Sequence, residues 1–139
     1  MSKLLQTLAT AILVVALPAF AAPKPAPKPA APAAAPDVPL TPGQLDAASH
    51  VFVGTAACDF DNKVTLTAID GHPGHFQLAH KKSVYTMVPE ETTTGAVRLE
   101  DKKAGAVWLQ IPAKSMLMNA KLGQRVADGC RMNEQAAAK

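Results

Sequence analysis

Four histidines, His50, His72, His75 and His80, are the residues best suited to chemistry in this chain of 139 residues. The run Asp70-Gly71-His72-Pro73-Gly74-His75 has the composition of a turn, and turn histidines can converge on a divalent metal. In a strand that begins at His75, however, His80 lies five residues on and faces the other side of the sheet. Only His72, His75 and Asp70 could then meet, too few for a closed site. The expectation is no metal ligands and no cofactor, with the histidines solvated in turns. Nucleophilic catalysis fares no better. Ser49, Ser83 and Ser115 stand in no G-x-S-x-G elbow. The carboxylates fall in neighbouring pairs (Asp59 and Asp61, Glu90 and Glu91, Glu100 and Asp101) that suit solvated turns rather than two acids facing each other across a cleft. No catalytic residues are expected, and the chain does not look like an enzyme.

Two loops remain as interaction candidates. Pro89-Glu90-Glu91-Thr92-Thr93-Thr94-Gly95 sets three hydroxyls between a proline and a glycine, an exposed segment rich in donors and acceptors. Ile111-Pro112-Ala113-Lys114 follows Trp108, which is itself expected in the core. Cys58 and Cys130 stand near the two ends of the foldable part. Their even count suits a disulfide in an exported protein, and no C-x-x-C spacing supports the competing redox or metal reading.

The elements that must carry these loops are short and alternating. Runs at Val51–Cys58, Lys63–Ile69, His75–His80, Ser83–Val88, Gly95–Leu99, Gly105–Gln110, Lys114–Asn119 and Gln124–Cys130 each end at a turn signal. Eight strands at this spacing predict an all-β fold. With so few residues, two long open edges would be exposed, so a small antiparallel eight-stranded β-barrel is expected. A pairing of Cys58 with Cys130 would staple the first strand to the last. Gln44–Ala48 could add one helical turn ahead of the barrel.

Residues 1–43 are different in kind. They hold 12 alanines and nine of the 12 prolines. Met1–Lys3 is cationic, Leu4–Leu17 is apolar, and Ala19-Phe20-Ala21 ends in small residues, the pattern of a cleavable signal peptide over 1–22. The apolar run is short for the roughly 20 residues that a bilayer requires, so no integral membrane span is expected in the mature chain. No cysteine near the cleavage point offers a lipid attachment site. Residues 23–43 form a Pro/Ala-rich disordered linker that should sample polyproline II. The barrel is expected over 44–133, with a tail over 134–139. Residues 44–139 carry 11 cations and 10 anions, too little excess charge for binding nucleic acid through its phosphates.

Taken in order, several of these pieces resemble the membrane-bound and periplasmic inhibitors of c-type lysozyme (MliC/PliC-like). The resemblance runs over roughly residues 50 to 132. It consists of Cys58 before a polar turn, Val64-Thr65-Leu66-Thr67, Val84-Tyr85-Thr86-Met87-Val88, Thr94-Gly95-Ala96, the acidic turn Glu100-Asp101, Val107-Trp108 and the terminal Gly129-Cys130. It implies an eight-stranded antiparallel barrel and a function without catalysis. In that family a loop serine before a glycine enters the lysozyme cleft and bonds its catalytic carboxylates. A lysine after the tryptophan strand pairs with an acidic residue there. A glycosidase needs its two carboxyls free and differently protonated, so a hydroxyl and an ammonium between them would stop it.

Carried onto this chain, the serine falls on Thr94 and the lysine on Gln110, with Lys114 able to serve from the same loop. Val97-Arg98 stands where the family usually has a tyrosine, and Ile111-Pro112 where it has Gly-Asp. The implied lysozyme-binding set is thus Thr92, Thr93, Thr94, Gly95, Gln110 and Lys114. C-type lysozymes are basic, so Glu90 and Glu91 would steer them, while Lys81, Lys82, Lys102 and Lys103 would repel. The first functional reading is a periplasmic lysozyme inhibitor. The second is a non-catalytic periplasmic binding module on the same scaffold, with a cell-wall fragment or envelope protein as ligand. A histidine-based metal carrier is the third.

Overall fold

The structure, a computed structural model, describes residues 39–137. The expected signal peptide and most of the expected linker lie outside the described residues. Eight strands follow one another: β1 (Gly54–Ala57), β2 (Lys63–Ala68), β3 (Phe76–His80), β4 (Ser83–Glu90), β5 (Val97–Asp101), β6 (Ala106–Gln110), β7 (Ser115–Asn119) and β8 (Gln124–Cys130). Each pairs antiparallel with the next. The eight-stranded antiparallel barrel expected from the alternation is the fold observed.

Period-two alternation builds the interior. Val64 and Leu66 of β2, Phe76 and Leu78 of β3, and Leu99 of β5 are buried, while their neighbours along each strand are less so. Trp108 of β6 and Leu117 of β7 complete the centre of the core. Removing these side chains from water is the main favourable term in the fold.

Closure is brief but covalently fixed. Ala57 and Arg131 exchange backbone bonds of 3.0 and 2.8 Å, and the Asp59 N–H donates to the Asp128 carbonyl at 3.0 Å. Cys58 and Cys130, 72 residues apart, form a disulfide across this seam. Because β1 offers only four residues to pair, the staple supplies what the ladder cannot.

In an up-and-down barrel, alternate turns lie at opposite ends. The β1–β2, β3–β4, β5–β6 and β7–β8 turns share one end, called here the lysine end. The β2–β3, β4–β5 and β6–β7 loops share the other, the loop end. Two short helices join the loop end: α1 (Pro42–Ser49) precedes β1, and α2 (Asn133–Ala137) follows β8.

Both helices depart from the expected boundaries. α1 begins inside the proline-rich segment rather than at Gln44. Pro42 takes its first turn, where a missing N–H costs nothing. Thr41 caps it, accepting from the Gln44 N–H at 3.1 Å while the Gln44 side chain returns a bond to the Thr41 N–H at 3.0 Å. This reciprocal cap outweighs the proline content around it. α2 occupies most of the expected tail. Its Gln135 is buried, donating to the Ile111 carbonyl at 2.6 Å and accepting from the Met132 N–H at 3.1 Å. Strand edges moved as well: β1 starts at Gly54 rather than Val51, and Pro89 and Glu90 belong to β4 rather than to the loop after it.

Candidate functional site

The β4–β5 loop is the centre of the loop end. Thr92, Thr93, Thr94 and Gly95 are all exposed. The Thr92 hydroxyl donates to the Ala96 carbonyl at 2.6 Å, so it braces the loop from within. Thr93 and Thr94 have no such commitment among the described residues, which leaves two hydroxyls free for a partner. Gly95 adopts a φ of +75°, the left-handed turn that returns the chain into β5.

α1 fixes where the loop begins. The Gln44 side chain donates to the Pro89 carbonyl at 2.8 Å, and the Thr41 hydroxyl donates to the Glu91 carboxylate at 2.7 Å. Glu91 therefore sits against the helix N-terminus, where the peptide dipoles favour a negative charge. Two depressions flank the loop. One, of about 350 Å³, is lined by Gly43, Asp46, His50, Glu91, Thr92 and Gly95 among others. The second, of about 340 Å³, lies between Ser49–Phe52, Gly95, Val97 and Gln110–Pro112. His50, Gly95 and Val97 line both, so the two form one groove alongside the loop. Its ionised side chains, Asp46 and Glu91, are acidic.

Charge divides the barrel by end. Turns at the lysine end carry Lys81, Lys82, Lys102, Lys103 and Lys121 against Asp59 and Asp61. Loops and helices at the loop end carry Asp46, Asp70, Glu91 and Glu134 against Lys114 and Arg131. Of the four lysines expected to repel a basic partner, Lys81, Lys82 and Lys103 thus stand at the far end from Thr94, while Lys102 reaches back to pair with Glu90 at 2.6 Å. Near neutrality of the whole domain conceals this separation.

The remaining implied contact residues fare differently. Gln110 is 2% exposed and spends its amide on the interior. It accepts from the Phe52 N–H at 2.8 Å and donates to the Phe52 carbonyl at 3.1 Å, fastening the segment ahead of β1 to β6. In this fold it is an internal clamp, its amide turned away from the surface where the resemblance implied a contact. The signal was present in the sequence, because Gln110 has the same strand parity as the buried Trp108. Lys114 is half-exposed, and its ammonium pairs with Asp128 at 3.2 Å. Asp128 also meets Arg125 at 2.8 Å. The Gly129 N–H, followed by Lys114, holds the Asp128 carboxyl below its ordinary range. Lys114 is drawn toward β8, not toward the threonine loop.

The histidines are also not all solvated, as the turn composition suggested. His75 and His80 are 6% and 5% exposed. His80 points inward with Phe76 and Leu78, 3.4 Å from the Asn62 amide oxygen. Burial, reinforced by neighbouring Lys81, pushes its pKa below the usual 6.5. His75 is buried with both ring nitrogens unpartnered, its ring edge-on to His72 at 6.1 Å between centroids. Among the described residues no three His, Cys, Asp or Glu side chains converge on a metal position, and no helix is long and apolar enough to cross a membrane.

No family model, curated protein or solved structure matches this chain.

Proposed function

We propose that this protein is an exported, periplasmic inhibitor of c-type lysozyme that blocks the enzyme's cleft with the β4–β5 loop. The observation that carries this reading is the loop itself. Free hydroxyls at Thr93 and Thr94 project from an acid-lined end of a disulfide-closed barrel, with Lys81, Lys82, Lys103 and Lys121 on turns at the opposite end. A basic enzyme with a long cleft would be attracted to this end and repelled by the other. Inside the cleft, a threonine hydroxyl can donate to one catalytic carboxylate and accept from its protonated partner, removing the asymmetry that glycoside cleavage needs. With Gln110 turned inward, the second contact falls to the groove walls, where Glu91 and Asp46 could meet cations at the cleft rim.

Lysis of bacterial cell walls by c-type lysozyme, with the full chain added in stoichiometric excess, tests the reading. Inhibition is expected, and Thr94→Arg, on an exposed loop, should abolish it while leaving the circular dichroism spectrum unchanged. A folded protein that leaves lysis untouched at micromolar concentration sinks the proposal.

The interior position of Gln110 favours a second reading, a binding module that uses the same groove for a cell-wall fragment or another envelope protein. Chemical-shift changes at Gly95 and Val97 on adding soluble muropeptides, without any effect on lysis, would select it.

A further inference from the structure

The lysine end carries a pattern that the inhibitory reading does not use. Lys81 and Lys82 lie on the β3–β4 turn, Lys102 and Lys103 on β5–β6, and Lys121 on β7–β8. These turns are successive at one end of the barrel, so their lysines form an arc, from which the Lys102 ammonium alone turns back to Glu90. All five side chains are exposed. Lys102 pairs with Glu90 at 2.6 Å, while Lys121 donates to the Lys103 carbonyl, also at 2.6 Å. Among the described residues no ion pair engages Lys81, Lys82, Lys103 or Lys121. Of the acids at this end, Asp101 is already occupied, accepting from the N–H groups of Thr86 at 3.1 Å and Ala104 at 2.9 Å. Asp59 and Asp61 flank Phe60 on the β1–β2 turn, so the five lysines outnumber the free carboxylates there.

Apolar side chains mark the same end. Phe60 is 97% exposed and Leu122 66%, the two highest values among the exposed large apolar residues. Phe60 sits on the β1–β2 turn and Leu122 directly follows Lys121. Singly exposed apolar residues are ordinary. Two on the turns of one lysine-rich end are a different matter, because they combine attraction to negative charge with a tip that prefers to leave water. A soluble polyanion would engage the lysines and leave Phe60 and Leu122 hydrated. A charged surface with an apolar interior would engage both.

We propose that the lysine end docks on the surface of an anionic phospholipid bilayer, its ammonium groups among the head groups and Leu122 and Phe60 at the acyl boundary. The threonine loop would then face away from the membrane. This inference does not depend on the target of that loop.

Co-sedimentation of the full chain with vesicles containing phosphatidylglycerol tests it, with vesicles of phosphatidylcholine alone beside them. All variants share one N-terminus, so any contribution from residues before Pro39 cancels between them. Binding to the anionic vesicles should fall steeply as salt rises from about 0.1 to about 0.5 M. Lys82→Glu should weaken it about fivefold or more, whereas Arg131→Glu, the same charge change at the loop end, should stay within about twofold. Leu122→Ser should weaken vesicle binding further while leaving binding to soluble polyphosphate unchanged. Failure to bind anionic vesicles, equal binding to neutral ones, or equal losses from Lys82→Glu and Arg131→Glu would each overturn the proposal. Full competition by polyphosphate with no effect of Leu122→Ser would also overturn it, assigning the end to a soluble anionic polymer.

Discussion

The two ends of the barrel are built from the same material, short connections between antiparallel strands, yet they are organised in opposite ways. The lysine end has tight turns, exposed cations and apolar tips, with no helix covering it. The loop end has longer connections, two capping helices and a groove with Asp46 and Glu91 on its walls. Its polar side chains are largely spent internally: Gln44 on Pro89, Gln110 on Phe52, Gln135 on Ile111 and Ser115. One end is shaped by charge on its surface and the other by hydrogen bonds beneath it. Changes at the first should therefore alter binding with little effect on stability, while many changes at the second should alter both.

The disulfide belongs to neither end and should have the largest effect. Cys58→Ser with Cys130→Ser releases a 72-residue loop, for which the chain-entropy model gives about 4 kcal/mol. Denaturant titration should show a loss of that order, and both ends should lose binding together on warming. One end outlasting the other would show that they do not unfold as a unit.

Gln110→Ala should come next. It strips two backbone groups of Phe52 of their buried partner, a loss of about 1–3 kcal/mol. Below the new unfolding midpoint, vesicle binding at the lysine end should be unchanged. A loss under about 0.5 kcal/mol would mean that water replaces the amide and the clamp is unimportant.

Two glycines offer a matched pair. Gly95 at the loop end and Gly123 at the lysine end have φ of +75° and +61°, and a Cβ at either would meet nothing within 4 Å. Each change to alanine should cost about 1 kcal/mol through backbone conformation alone. Only Gly95→Ala should impair inhibition of lysozyme, as read by cell-wall lysis. Equal impairment by Gly123→Ala would dissolve the functional distinction between the ends.

The smallest effect is one of pH. His80 lies beside the β3–β4 turn with its pKa held below 6.5 in the fold, by burial first and by Lys81 second. As pH falls below 6.5, the unfolded chain takes up this proton before the folded one does, so stability complete above that pH declines beneath it. His80→Gln should flatten this part of the profile, measured by urea midpoints between about pH 7 and pH 5.

Much of this architecture was legible in local pattern. Alternation in Lys63–Ile69 and Gly105–Gln110 placed strands within a residue or two of β2 and β6, and Trp108 lies in the core as its strand predicted. Misses have a common cause. Gln110 follows the inward parity of Trp108, yet the resemblance that aligned it to a contact lysine implied the surface. Gln135 is held by the Ile111 carbonyl of the β6–β7 connection, and α1 packs against Gly74 beside the buried His75, contacts that no local composition reveals.

Strand number, strand order in the chain and the positions of the two cysteines follow from the amino-acid sequence alone, because a period of two and a turn signal are local properties of the backbone. Which turns become neighbours does not. The stagger of the strands brings Ala57 against Arg131 and Cys58 against Cys130, and the up-and-down pairing gathers the lysines at one end and the threonine loop at the other. Charges scattered along a nearly neutral sequence become two unlike surfaces only when pairing between distant residues sets their places.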